Sequence, residues 1–266
     1  MEQIGLIAGS GKFPLIAAQE ANNQGYQVHA IAIKNITNRD IDKQVQKVSW
    51  IEVGELSKLL SLLKKDAIKR VMMAGNVAHR QIFNIEKFDN QLKSLFTNLE
   101  NKSGNSILKA IADLLADEGM ELIDSTKFVK NWLAPKGVLS QREPSENELA
   151  DIRYGYSIAL EIAQLHIGQS VAVKNGAIIA IEAIEGTDEM ILRAGKLGGK
   201  GVVIVKVSQP NKDKRFDMPV IGPDTIETMI QAQALVLAFM AEKILIFDRE
   251  EMIKKADQRG IAIYSF

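Results

Sequence analysis

Two stretches of the chain gather the side chains that could do chemistry. In IEAIEGTDEMILRAGKLGGKG, Glu182, Glu185, Asp188 and Glu189 crowd around Thr187. Oxygen ligands on one loop suit Mg²⁺, which takes one or two carboxylates and completes its shell with water and substrate phosphate. The bland alternative is that Thr187 or Asp188 caps the helix EMILRAG and the charges form a solvated face. Gly195, Gly198, Gly199 and Gly201 then predict a flexible loop before the next strand. In KVSQPNKDKRFDMPVIGPDT, Lys206 ends a strand, and Lys212, Asp213, Lys214, Arg215, Asp217 and Asp224 follow among Pro210, Pro219 and Pro223. Proline fixes φ, so such a loop holds side chains in place without regular structure. Cations that grip phosphate, beside carboxylates that hold metal or orient water, are what phosphoryl chemistry requires. Asp224 after Pro223 reads as helix-start chemistry. Asp217, flanked by apolar residues, is less easily read as a turn residue.

A third feature is backbone. In IGLIAGSGKFPLIAA an apolar run meets Gly9-Ser10-Gly11 and resumes at Phe13 with helical spacing, the pattern of a strand, a glycine turn and a helix start. Such turns bind phosphate on outward-facing N–H groups. The dinucleotide fingerprint is incomplete, because Pro14 stands where the third glycine belongs and no ribose-binding carboxylate follows HAIAI. No P-loop is present either. KRVMMAGNV repeats the device at Gly75-Asn76.

The elements that position these residues follow from periodicity. In the first half, strand-like GLIAG, YQVHAIAI, VSWIEV and KRVMMA alternate with helical segments, among them ELSKLLSLLKK and SILKAIADLLADEG, the last ending at a capping glycine. This predicts a Rossmann-like parallel sheet with both glycine turns at its ligand-binding edge. Between Trp132 and Glu148, APKGVLSQREPSENE is poor in apolar residues and reads as an exposed connection, so the expected domains are 1–133 and 134–266. The second half predicts a long helix over ELADIRYGYSIALEIAQL and a hairpin in QSVAVKNGAIIAIEA turned by Asn175-Gly176. With the further strands GVVIVKV and KILIFD it makes a mixed α/β domain. The fold class expected is therefore α/β: a Rossmann-like parallel-sheet domain followed by a C-terminal mixed α/β domain.

Composition narrows the function. The 33 basic and 33 acidic residues cancel, and no basic block marks a nucleic-acid or polybasic membrane surface. The absence of cysteine excludes disulfides, thiolate metal sites and a cysteine nucleophile. His29, His79 and His166 have no metal-binding spacing. With no leader segment or apolar run of membrane-spanning length, a cytoplasmic protein is expected.

GLIAGSGKFP, MAGNV, LLADEG, LAPKGVLS, IGQSVAV, AIEAIEGTDEMILRAG and RFDMPVIGPDTI, in that order, resemble the UDP-2,3-diacylglucosamine pyrophosphatases of the LpxI type, the DUF1009 family of Gram-negative lipid A synthesis. The resemblance implies a hydrolase that splits UDP-2,3-diacylglucosamine into UMP and 2,3-diacylglucosamine 1-phosphate (lipid X). It implies Mg²⁺ as cofactor, with Mn²⁺ left open. The essential aspartate matches Asp217, which would ligate the metal or orient and deprotonate water, with Asp188 and Glu185 as further metal ligands. Substrate contacts match Gly9, Gly11, Gly75, Asn76, Gln169 and Thr187, facing one another across an interdomain cleft, and Lys206, Lys212, Asp213 and Arg215 of the charged stretch complete the expected substrate-binding set. Lysine at 212 departs from the family pattern, where an amide is usual, and AQALVLAFMAEK replaces a more glycine-rich run. Expected partners are the lipid-linked UDP-sugar and, transiently, the cytoplasmic face of the inner membrane, with no nucleic acid and a homodimer left open. The alternatives are a non-enzymatic lipid or nucleotide-sugar binding protein, or another nucleotide-dependent enzyme such as an oxidoreductase.

Overall fold

A computed structural model of the 266-residue chain describes residues 2–77, 85–99, 103–209, 213–216 and 218–266. The chain forms two compact units, Met1–Lys130 with Asp213–Asp217, and Asn131–Lys212 with Met218–Phe266.

The first unit is built on β1 (Gln3–Ala8), α1 (Phe13–Asn23), β2 (Gln27–Ile33), β3 (Lys47–Ile51), α2 (Leu56–Lys65), β4 (Arg70–Ala74), α3 (Asn90–Thr97), α4 (Gly104–Asp117) and β5 (Glu121–Leu122). Its sheet has the order β3-β2-β1-β4-β5 with every pairing parallel, as the alternation of strands and helices requires. Ile31, Ile33, Val71 and Met73 are buried against Leu59, Leu60 and Leu63 of α2 and Ala112 and Leu115 of α4. Each large side chain so buried contributes about 1.5–3 kcal/mol. The strand order reverses between β1 and β4, the switch point beyond which open α/β sheets form a ligand crevice. Gly9–Gly11 and Gly75–Asn76 follow those two strands.

The second unit contains β6 (Gly137–Val138), α5 (Glu146–Gln164), β7 (Ser170–Lys174), β8 (Ala177–Ile181), α6 (Thr187–Gly198), β9 (Val203–Lys206), β10 (Val220–Ile221), α7 (Pro223–Gln231), β11 (Val236–Phe239), β12 (Leu245–Ile246), α8 (Arg249–Gln258) and β13 (Ala262–Ser265). A six-stranded mixed sheet runs β6-β13-β11-β9-β7-β8, and β10 pairs with β12 apart from it. Val203 and Val205 face α5, while Ile204 and Leu237 face Met190, Ile191, Met229 and Met252 of α6, α7 and α8. Burial on both faces explains the unbroken apolar run GVVIV. Asn175 and Gly176 have φ of 50° and 74°, the geometry expected of the hairpin turn, and the Asp151 carboxylate accepts both of their N–H groups.

Three expectations are revised. The stretch after Trp132, expected as an exposed connection, is exposed in part but is held by specific bonds. Ala134 is buried, donates its N–H to the Ile244 carbonyl and accepts from Glu242 N–H. Arg142 forks onto Glu148, which closes a capping box with Ser145 at the start of α5. Polar side chains supply the order that apolar ones would elsewhere. Second, Gly195 and Gly198 lie inside α6, not in a loop. A side chain at Gly195 would come 2.4 Å from the Ala232 carbonyl oxygen, so glycine there permits close helix packing. Third, residues 213–216 do not follow their sequence neighbours into the second unit. Phe216 joins the first unit's core, and the Lys214 carbonyl accepts from both the N–H and the hydroxyl of Ser125.

Candidate active site

At the switch point of the first unit, backbone meets backbone. Gly9 N–H donates to the Ala74 carbonyl and Ser10 N–H to the Asn76 carbonyl, both at 2.8 Å, and the Ser10 hydroxyl adds a third bond to Asn76 O at 2.9 Å. Glycine is required on both sides of this clasp. A Cβ on Gly9 would lie 2.7 Å from Asn76 O, and one on Gly75, where φ is 85°, would lie 2.4 Å from Ser10 O. The N–H groups of Gly9 and Ser10 are thus engaged within the sheet. Gly11, with φ of 83°, faces open space and leads into α1, whose second residue is Pro14.

The charged site of the second unit is built where β9 ends, β7 begins and α6 starts. Lys206 is buried at 4% exposure and Glu182 at 7%, with Ser170 fully enclosed. Lys206 Nζ donates to Thr187 Oγ1 at 2.6 Å, and Thr187 Oγ1 donates to Glu182 Oε1 at 2.8 Å. Gln169 enters through its backbone: its N–H donates to Glu182 Oε2 at 3.3 Å and its carbonyl accepts from Val207 N–H. The Ser170 hydroxyl lies 3.4 Å from Thr187 Oγ1. Thr187 is the first residue of α6, but the N-cap is Gly186 and no side chain caps the helix, so the threonine hydroxyl serves the lysine and the glutamate instead. Asp188 follows, exposed on one side. Its carboxyl is raised above the ordinary range, first by lost solvation and then by negative charge on Asp224, Glu182 and Glu189, against the pull of Lys206.

Glu185 is oriented elsewhere. Its carboxylate pairs with Arg193 Nη2 at 2.5 Å and accepts from Ala183 N–H. Partial burial opposes its ionisation, but backbone hydrogen bonds and Arg193 prevail and hold it below the usual range. On the returning segment, Arg215 Nε donates to both oxygens of Asp213 at 2.9 Å and Nη2 donates to Oδ2 at 2.6 Å. This pair, led by the hydrogen bond from Arg215, holds Asp213 low and Arg215 high. Asp217 and Lys212 lie outside the described residues. The structure therefore joins Thr187, Lys206 and Gln169 in one site with Asp188 beside it, engages Glu185 with Arg193, and pairs Asp213 with Arg215. The sequence places Glu182 among the four carboxylates around Thr187, but its burial beside Ser170 has no signal in AIIAI, which is apolar at every position. Among the described residues, no group of three or more histidines and carboxylates is placed to hold a metal.

Comparison with known proteins fixes the family. The LpxI N-terminal domain model matches residues 3–132 and the LpxI C-terminal domain model matches residues 135–264. The chain belongs to the LpxI family. A curated LpxI relative from Caulobacter vibrioides, named UDP-2,3-diacylglucosamine pyrophosphatase, is 28% identical over 273 residues, covering 99% of this chain and 97% of that protein. Among solved structures, N5-carboxyaminoimidazole ribonucleotide synthetase from Thermotoga maritima aligns with 68% of this LpxI chain and 41% of its own, at 14% identity and a TM-score of 0.27. The Staphylococcus aureus N5-carboxyaminoimidazole synthetase covers 76% and 46%, at 13% identity and a TM-score of 0.26. The LpxI chain thus spans less than half of either synthetase. Among its described residues no helix is long and apolar enough to cross a membrane.

Proposed function

We propose that this chain hydrolyses the pyrophosphate of UDP-2,3-diacylglucosamine, in lipid A biosynthesis, to UMP and 2,3-diacylglucosamine 1-phosphate. The observation that carries the proposal is a buried ammonium, Lys206, held by Thr187 at the start of α6 beside Asp188, in a chain whose two halves both match LpxI domains. Water adds to one phosphorus, the bridging P–O bond breaks, and the leaving phosphate takes the electron pair while water's proton departs.

A pyrophosphate resists hydrolysis because its anionic oxygens repel the incoming water. Lys206 offsets part of that charge, and its partly desolvated setting strengthens the attraction. Mg²⁺, with Mn²⁺ as the other candidate, would supply further charge compensation when bound. The donor set fits such an ion. Asp188 is a carboxyl crowded by other carboxylates, and Mg²⁺ asks for only one or two protein oxygens. We assign Asp188 to hold it, and leave out Glu185 because Arg193 engages it. Asp217, matched through the family resemblance, is proposed to hold metal or to orient and deprotonate the water. The substrate is lipid-linked, so transient contact with the inner membrane from the cytoplasm belongs to the same proposal.

Purified protein incubated with UDP-2,3-diacylglucosamine tests this by chromatography of UMP and lipid X, with Mg²⁺ and with EDTA. Metal-dependent release of both products is expected. Binding of the substrate without release of UMP would mean a carrier and would overturn the enzyme.

A further inference from the structure

We propose that Glu182 is a positioning residue that, through Thr187, sets where the Lys206 ammonium stands; the assignment rests on the hydrolysis proposed above. Glu182 is almost fully buried, and a buried carboxylate is stable only with partners for its oxygens. Each oxygen has one. Oε1 accepts from the Thr187 hydroxyl at 2.8 Å and Oε2 accepts from Gln169 N–H at 3.3 Å.

The direction of the chain follows from what each group can do. An ionised carboxylate only accepts, so the single proton of Thr187 points at Glu182. The lone pairs of that hydroxyl are left for donors, and Lys206 Nζ takes one at 2.6 Å. Ser170, 3.4 Å away on the same atom, is then a donor as well. A carboxylate thereby turns a rotating hydroxyl into a fixed acceptor for the ammonium. Lysine ends a flexible four-carbon stem, so a fixed acceptor matters more for it than for a rigid guanidinium.

The frame around the glutamate is rigid. A Cβ on Gly168 would lie 2.1 Å from the Glu182 carbonyl oxygen, so the two backbones are in close contact there. Glu182 N–H donates to the Ser170 carbonyl at 2.9 Å. Ser170 in turn pairs with Lys206 in the β7–β9 ladder. Glu182, just past the end of β8, and Lys206, at the end of β9, therefore flank the start of β7, and only the threonine reaches in from the helix.

UMP-release kinetics and thermal unfolding of wild type, Glu182→Gln, Thr187→Val, Thr187→Ser, Lys206→Met and the double variant Glu182→Gln/Lys206→Met test the assignment. Glutamine keeps the shape but places an amide N–H₂ against a donor, either Gln169 N–H or the threonine proton. Glu182→Gln and Thr187→Val are expected to lower kcat by roughly 10–100-fold with KM changed by less than about threefold. Thr187→Ser should recover most of what Thr187→Val loses. In the Lys206→Met background, adding Glu182→Gln should change kcat by less than about twofold, because residues acting as a unit are not additive. Additive losses, or a Thr187→Ser variant as slow as Thr187→Val, would overturn the positioning role. So would losses in kcat that match the fraction of protein unfolded. If Glu182→Gln does not fold, the Val and Ser variants at 187 still decide the matter. A wild type that releases no UMP overturns the hydrolase itself and this role with it. An active wild type with additive losses overturns the role alone.

Discussion

At the ends of their parallel strands the two units are built in opposite ways. In the first, the turns after β1 and β4 clasp each other through backbone groups, and glycine is there because no side chain fits. In the second, the end of β9 and the start of α6 bring a buried lysine and glutamate together with a half-buried threonine and leave Asp188 at the margin. The first arrangement contributes shape and depends on the absence of side chains. The second contributes charge and depends on which atoms the side chains carry. Changes in the clasp should therefore act through folding, and changes around the charged site through turnover.

The sharpest separation is expected at Asp217. Asp217→Asn should lower kcat by roughly 10²–10⁴-fold, the range of a lost acid–base or metal-holding group, while calorimetry still finds the nucleotide-sugar bound. Turnover near wild type would remove Asp217 from the chemistry. In the clasp, Gly75→Ala forces a left-handed alanine against Ser10 O and should cost about 2–4 kcal/mol in denaturant unfolding. Gly11→Ala shares the positive φ but meets no neighbour, so about 1–2 kcal/mol is expected. Equal losses at the two glycines would refute the close-approach explanation.

Much of this contrast was legible in the sequence, and the reasons differ by region. The parallel order of the first sheet follows from strand–helix alternation, which is local and periodic. The hairpin at Asn175-Gly176 follows from turn chemistry that only a few residues satisfy. Glycine turns are visible in sequence, but whether they receive a phosphate or another turn depends on a strand more than sixty residues away. At Glu185 the ambiguity was of another kind: four carboxylates crowd one stretch, and only the placement of Arg193 separates the one that is paired from Asp188. The return of residues 213–216 to the first unit was hidden because Phe216 is a single apolar residue in a polar loop, too short a signal for periodicity.

Smaller effects test the margins of the comparison. Arg193 and Glu185 are partly exposed, so Arg193→Ala should cost less than about 1 kcal/mol and leave kcat within about twofold. A large fall in kcat would return Glu185 to the metal set. In the first unit, His29 is buried on β2, with Ser49 Oγ 3.1 Å from Nε2 and Asp66 close to Nδ1. Burial lowers its pKa from the ordinary 6.5, opposed by Asp66 and assisted by Lys47. The unfolded chain thus binds the proton more readily, and stability is complete above the ordinary value and is lost as pH falls through the lowered one. Denaturant unfolding at pH 7.5 and 5.5 should show wild type losing stability on acidification, with His29→Gln flattening that loss. A wild type steadier at the lower pH than the variant would reverse the sign.

Cleavage of the pyrophosphate is most directly observed by ³¹P NMR of UDP-2,3-diacylglucosamine mixed with the purified chain and Mg²⁺. The two coupled pyrophosphate signals should give way to the monoester signals of UMP and the sugar 1-phosphate, with EDTA halting the change and Lys206→Met slowing it. Pyrophosphate signals that persist, or that move to those of free UDP, would contradict hydrolysis at phosphorus.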